Sequence, residues 1–322
     1  MNSGISFVII ENVLSLMTIL GRDDIFMKSN SLIHRLDNNW APPIYDHLPI
    51  WCFPERPLKF RVYGVGLPKT GTASLYFLFQ NYRTSHETEA RFLIHKLLAF
   101  EQGKIAREEL TQSIKKRDRR LKLEMDSSWI NGYIVDILAE EFKEAKFILS
   151  IRDCYSWLDS IINHSLFISK RQQKWSRWQY WRGEHFIQWE NFIYKTHQFK
   201  HAKPEQILAK NGLYTIDGYL SYWAEHTTKV LTTVPKERLL IIKTSEFKQF
   251  IPKIEDFLGL IPGSLPRDTK INVRKEKDKY NLLSQIDRDF LDEKVNTHCK
   301  KLMAKFFPEI MRVEVEESLS AN

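Results

Sequence analysis

Three cysteines in 322 residues, Cys52, Cys154 and Cys299, are too few and too scattered for a disulfide framework or a zinc site, and their scarcity fits a reducing compartment. A long hydrophobic run is also missing. The most apolar stretch, Ile5–Leu20, is interrupted by Glu11 and Asn12. It lacks a basic leading segment and is too short to cross a bilayer, so it is expected to be a helix packed on the domain, in a soluble, cytoplasmic protein. No internal repeat, low-complexity tract or nucleic-acid-binding motif is present, which leaves nucleic acid out of the expected partners. No cluster of metal-ligating residues has the spacing of a metal site, so none is expected.

Charge of one sign is not scarce, but it is not segregated either. Forty-eight basic residues against 40 acidic give a net +8. That balance favours anionic ligands, and the two signs are interleaved along the chain. The densest basic run, Lys115 to Arg120, is expected to be a solvated helix face.

What the chain does have is a pattern of strands alternating with helices, which indicates an α/β fold with a central parallel sheet and helices on both faces. Residues 1–58, punctuated by five prolines at 42, 43, 49, 54 and 57, read as an N-terminal extension. Residues 59–312 read as the main domain and 313–322 as a tail. Strands are expected at 60–65, 121–125, 145–151 and 238–243, with a short one at 81–87. Helices are expected over 72–80, 89–101, 108–120, 130–141, 217–230, 251–260 and 285–307. Residues 163–235 read as a largely helical cap, rich in aromatics.

The organising stretch is Phe60 to Tyr76, FRVYGVGLPKTGTASLY. A short strand runs into Gly66, Pro68 and Gly71, and a helix begins near Thr70–Thr72. A strand, a glycine loop and a helix start make an anion cradle, because free backbone N–H groups and the positive end of the helix dipole point at one place. It is not a Walker A loop. That motif needs lysine directly after its second glycine, whereas Lys69 comes before Gly71 and Thr72 follows it.

The order Pro-Lys-Thr-Gly-Thr resembles the 5′-phosphosulfate loop of sulfotransferases that use 3′-phosphoadenosine-5′-phosphosulfate (PAPS). A second stretch supports the likeness. Arg152 sits at the end of the 145–151 strand and Ser160 lies eight residues further on in the next helix, the spacing at which that family holds the 3′-phosphate. Guanidinium forms forked bonds to phosphate oxygens, and a hydroxyl adds a neutral donor. The segment at 238–260, with its FLGL ending, is also similar to the family's C-terminal part.

The resemblance implies a PAPS-dependent sulfotransferase with a P-loop-like fold. It implies that Lys69, Thr70, Gly71, Thr72, Ala73, Ser74, Arg152 and Ser160 bind the donor, with Arg274 and Lys275 in a basic loop that closes over the nucleotide. Ala73 stands where a second hydroxyl is common, and the usual glycine of the basic loop is absent. Lys69 would neutralise the departing phosphate and no metal would be required; the product would be 3′-phosphoadenosine 5′-phosphate. The base is Glu87 or His86. Ser85-His86-Glu87-Thr88 looks similar to the segment that supplies the base in tyrosylprotein sulfotransferases, which favours Glu87. Asp126 is either an acceptor contact or a helix cap, and Trp178 and Trp181 are expected at the acceptor. The acceptor itself is expected to be a small alcohol, phenol or amine. Alternatives are a protein- or glycan-type sulfotransferase, a small-molecule kinase on the same cradle, and a nucleotide-binding scaffold without turnover.

Overall fold

Val62–Gly64 (β1) is only three residues long and buried throughout, yet it is the central strand of the sheet. The computed structural model describes residues 49–52, 57–172, 184–267 and 280–311. The expected N-terminal helix at 5–20 lies outside them. β1 is flanked in parallel by Met125–Ser127 (β3) and Lys146–Ile151 (β4). Thr84–His86 (β2) pairs with β3 on one edge, and Leu239–Lys243 (β5) pairs with β4 on the other. All five strands are parallel, in the order β2-β3-β1-β4-β5. The chain leaves β1 for the left half of the sheet and returns past it to the right half. The carboxyl end of β1 is therefore a switch point, where open parallel sheets gather their ligands.

Both faces of the sheet are covered. Val62 and Ile148 face a smaller core with Leu75 and Leu78 of Thr72–Leu78 (α1). Phe247 and Ile254 of the segment around Ile251–Leu258 complete it. Tyr63, Phe147 and Leu149 face the larger core. That core is built with Ala90–Glu101 (α2), Arg107–Leu121 (α3), Trp129–Tyr133 (α4), Val135–Glu141 (α5), Cys154–Gln172 (α6), Glu184–Ile193 (α7) and Ile216–Thr233 (α8). Arg288–His298 and Lys300–Phe306 close the described chain, with a break at Cys299 where one helix was expected.

Three further expectations are corrected. The strand expected at 121–125 forms at Met125–Ser127 instead. The run of good helix formers carries α3 to Leu121, Lys122 caps it with φ 50°, and the strand begins at Met125. Met125, Asp126 and Ser127 are all buried; a strand covered on both faces has no polar alternation to betray it. The helix expected over 130–141 is divided at Ile134. The basic run is not a solvated face: Arg117 is 5% exposed. Asp118 accepts from Tyr63 at 2.7 Å and from Arg61 at 3.1 Å, and Arg120 bonds the buried Glu89.

Candidate active site

The loop after β1 is pinned at almost every residue. Val65 N donates to Ile148 O at 2.9 Å. Pro68 O accepts from Trp157 Nε1 of α6 at 2.9 Å. Thr70 O accepts from Thr244 Oγ1, just beyond β5, at 2.7 Å, and the same hydroxyl lies 3.1 Å from Ile151 O at the end of β4. Lys69 (φ 70°) and Gly71 (φ 105°) adopt left-handed backbone. At Gly71 this is the natural use of a residue without Cβ, whereas at Lys69 it costs roughly 1–3 kcal/mol that the surrounding bonds must cover.

Not every hydroxyl of the loop faces the cradle. Thr70 is buried; its Oγ1 donates to Leu67 O at 2.7 Å and sits 3.0 Å from Ser150 Oγ. Its amide is also taken, by Leu67 O at 3.2 Å. Thr70 is thus the peg beneath the loop, and the expectation that it donates to a bound phosphosulfate is corrected. Thr72 Oγ1 stays at the mouth, 3.2 Å from His86 Nε2. Ser74 is buried in the first turn of α1 and Ala73 beside it is half-buried. Among the described residues the amides of Gly71, Thr72, Ala73 and Ser74 have no acceptor. A helix start left in that state suits an anion.

Arg152 continues from β4, next to β1 in the sheet, so it emerges beside the loop. Its Nε donates to Ser156 Oγ at 2.8 Å. Ser156 is itself fixed by Asp153, whose Oδ1 accepts from Ser156 N at 2.8 Å and whose Oδ2 accepts from the Ser156 hydroxyl. Trp223 Nε1 holds Arg152 O at 3.1 Å. Burial lowers the Arg152 pKa, partly offset by Asp153 and Asp159. Among the described residues its two terminal nitrogens have no hydrogen-bond partner. Ser160 lies half-buried one turn beyond Ser156 on α6.

His86 ends β2, and its Nε2 lies 3.7 Å from Glu87 Oε1. The Glu87 side chain is 37% exposed, so its carboxylate is open where the His86 ring is occupied by Thr72. Asp126 is neither a surface contact nor a helix cap. It is 3% exposed and its Oδ2 accepts from Arg117 Nη1 at 2.6 Å. The cap of α4 is Ser128, which accepts from Ile130 N at 3.3 Å. Asp126 therefore holds Arg117 rather than an acceptor. Arg274, Lys275, Trp178 and Trp181 lie outside the described residues. Tyr280, where the description resumes, donates its amide to Asn163 Oδ1 at 2.6 Å, one turn beyond Ser160.

Of the described aromatics between 184 and 222, several fill the core rather than line a surface. Trp189 is fully buried against Trp129 and Tyr133, and Tyr194 stacks with Tyr214 and Tyr219. Tyr133, Phe192 and Tyr222 border a cavity of about 390 Å³. His226, also on its wall, reaches back to the donor loop. Its Nε2 lies 2.8 Å from Val65 O. Burial pushes its pKa down to about 4 from the ordinary 6.5, so it is neutral at pH 7 and donates to that carbonyl.

That depression makes stability fall with acid. Below pH 6.5 the unfolded chain takes up the proton that the folded chain refuses until about pH 4. The His226 contribution is whole above pH 6.5 and is lost as pH falls through that window. Urea unfolding should show the gap between wild type and His226→Gln shrinking by roughly 2–3 kcal/mol from pH 7 to 4.5. A gap that does not vary with pH would exclude a neutral buried imidazole.

Several of these supports were not singled out in the sequence. Ser150 had a signal, a lone hydroxyl in an otherwise apolar strand. Thr244 had a weaker one, its place directly after a parallel strand. Ser156, Trp157 and His226 had none that set them apart from ordinary helix residues. Among the described residues no group of three or more His, Cys, Asp or Glu is arranged to hold a metal, and no helix is long and apolar enough to cross a membrane.

The model of the sulfotransferase domain family matches residues 61–259, which takes in β1 to β5, the donor loop, Arg152 and the β2 turn. No curated protein matches the chain at a significant level. Among solved structures it is similar to a sulfotransferase from Alicyclobacillus acidocaldarius, at 15% identity and a TM-score of 0.40, over 78% of this chain and 96% of that one. It is also similar to a sulfotransferase from Mycobacterium avium, at 11% identity and 0.42, over 87% and 83%. The sulfotransferase domain of the Synechococcus olefin synthase follows, at 13% and 0.32, over 74% and 85%. These likenesses are remote, so the assignment rests on the domain match, whose span coincides with the sheet and its loops. On that ground the chain belongs to the sulfotransferase domain family.

Proposed function

We propose that the protein transfers the sulfuryl group of PAPS to a hydroxyl or amine of a small-molecule acceptor, in the cytoplasm. One observation carries the donor assignment. The loop bearing Lys69 and the strand end bearing Arg152 are tied together by Thr244, and among the described residues the amides of Gly71 to Ser74 and the terminal nitrogens of Arg152 have no hydrogen-bond partner. A ligand with an anionic group at each end of a nucleoside suits that pair. The amides of Gly71 to Ser74 and the Lys69 ammonium would take the phosphosulfate end. Arg152, with Ser160, would take the 3′-phosphate, and Arg274 and Lys275 would close over it.

Three acts make up the reaction. The acceptor O–H or N–H gives its proton to Glu87 as its lone pair attacks sulfur. The new bond to sulfur forms while the bond from sulfur to the bridging oxygen breaks, in line. The electron pair stays on that oxygen, and Lys69 with the loop amides stabilises the growing phosphate charge. The products are a sulfate ester or sulfamate and 3′-phosphoadenosine 5′-phosphate. The scheme uses no metal ion. Thr72 and His86 support Glu87 by holding the β2 end against the start of α1.

Titration calorimetry with 3′-phosphoadenosine 5′-phosphate, followed by transfer of labelled sulfuryl from PAPS to a panel of phenols, alcohols and amines, tests the proposal. Absence of binding by the desulfated nucleotide would overturn it. Within that assay Glu87→Gln is expected to lose at least about tenfold more turnover than His86→Ala. The reverse order would make His86 the base.

A further inference from the structure

The turn from β2 into α2 holds a shape that its own residues disfavour. Glu87 (φ 58°) and Glu89 (φ 60°) are both left-handed, a region where Cβ crowds the neighbouring carbonyl. The turn supplies little to enforce this. Ser85 and Thr88 share a hydroxyl bond, and Ala90 N donates to Glu87 O at 3.1 Å. One bond reaches β3, from Glu87 N to Ser127 O at 3.1 Å.

Beneath the turn lies a guanidinium. Arg117 of α3 donates from Nη2 to Thr88 O at 2.9 Å, the carbonyl between the two left-handed residues. Its Nη1 is bonded to Asp126 Oδ2 at 2.6 Å, which fixes it to β3. Its Nε lies 3.9 Å from Glu89 Oε2, and Arg120 bonds the other oxygen of that fully buried carboxylate. Burial acts to lower the Arg117 pKa, but Asp126 and Glu89 overcome it and hold the value above the ordinary one, so the charge is permanent. Networks of this kind are seldom more stable than apolar packing of the same volume. What this one supplies, and apolar packing does not, is a directed bond to one carbonyl of the turn.

We propose that Arg117 is the positioning residue for the base: it clamps the β2–α2 turn in its left-handed form and so sets the Glu87 carboxylate at the mouth of α1. This inference rests on the assignment of Glu87 as base.

The test uses Arg117→Lys, which keeps the charge near Asp126 but loses the fork that reaches Thr88 O. Hydrogen exchange at the amides of Glu87 and Ala90 should accelerate at least about tenfold, with α1 and β4 unchanged. The affinity for 3′-phosphoadenosine 5′-phosphate should stay within about twofold, because the donor loop is held by other bonds, while kcat falls roughly 10–100-fold. In a Glu87→Gln background Arg117→Lys should cost no further turnover, since the two act as one unit. Unchanged exchange at the turn, or an equal loss of kcat in both backgrounds, would overturn the clamp. If Arg117→Lys does not fold, the double variant Arg117→Met, Asp126→Asn, which leaves the Arg120–Glu89 pair in place, is put through the same measurements. Faster exchange at the turn, in a protein whose wild type transfers no sulfuryl group, upholds the clamp on the turn and overturns the transfer reading together with the base assignment.

Discussion

Lys69→Ala is expected to lower sulfuryl transfer roughly 10²–10³-fold, the cost of removing one preorganised donor from a developing oxyanion. The fold should survive, because the loop is held at Pro68 and Thr70 on either side of position 69: Pro68 O to Trp157, the Thr70 hydroxyl to Leu67 and Ser150, and Thr70 O to Thr244. The left-handed backbone at this position is no worse for alanine than for lysine. Thermal unfolding should therefore shift by no more than about 2 °C, a surface-type effect. Affinity for the desulfated product should fall less than turnover does, since the lysine is proposed to act on charge that develops during transfer. A variant that keeps a third of wild-type turnover would remove Lys69 from the mechanism. A variant that fails to fold would mean that the side chain supports the loop instead.

The two proposed binding ends are linked by shared supports. Thr244 joins the loop to the end of β4, and Ser150 and Thr70 meet beneath it. Trp157 reaches from α6 to Pro68, while Arg152 and Ser156 sit on the same turn of that helix start. A ligand that orders one end should thus feel little freedom at the other. This is the preorganisation on which electrostatic stabilisation of a leaving group depends.

Legibility from sequence follows the range of the interactions. The loop at 66–74 was readable because strand, glycines, lysine and helix start are contiguous, and their chemistry is local. Arg152 was readable because it follows an apolar strand. The inward turn of Thr70 was not, since it depends on Ser150, eighty positions away. Arg117 looked like one charge in a basic run because its partners, Asp126 and the Thr88 carbonyl, are brought together only by the pairing of β2 with β3. The same pairing buries Asp126, which from its place at a strand end looked open to substrate. The third strand was expected four residues early, at 121–125 instead of 125–127, for a different reason: burial on both faces erases the alternation that marks a half-exposed strand.

Gly66→Ala is expected to destabilise the protein by about 3 kcal/mol or more, through crowding that no side-chain rotation relieves. The constraint here is space. A Cβ at position 66 would lie 2.2 Å from Ser150 Oγ, 2.6 Å from Thr70 Oγ1 and 2.8 Å from Ser150 O. A hydroxyl can swing away from the first two contacts, at the loss of the Thr70–Ser150 bond. The third is a backbone carbonyl within β4, and it moves only if the strand moves. Because β4 pairs with both β1 and β5, the shift would reach the loop and Arg152 together. Calorimetric melting should fall by about 4–5 °C or more for a chain of this size. Donor-product affinity should fall with it, unlike in Lys69→Ala, where binding changes little and turnover collapses. If Gly66→Ala instead melted with the wild type and bound the nucleotide as tightly, β1 and β4 would not approach as closely as the site requires, and the cradle built on that contact would have to be abandoned.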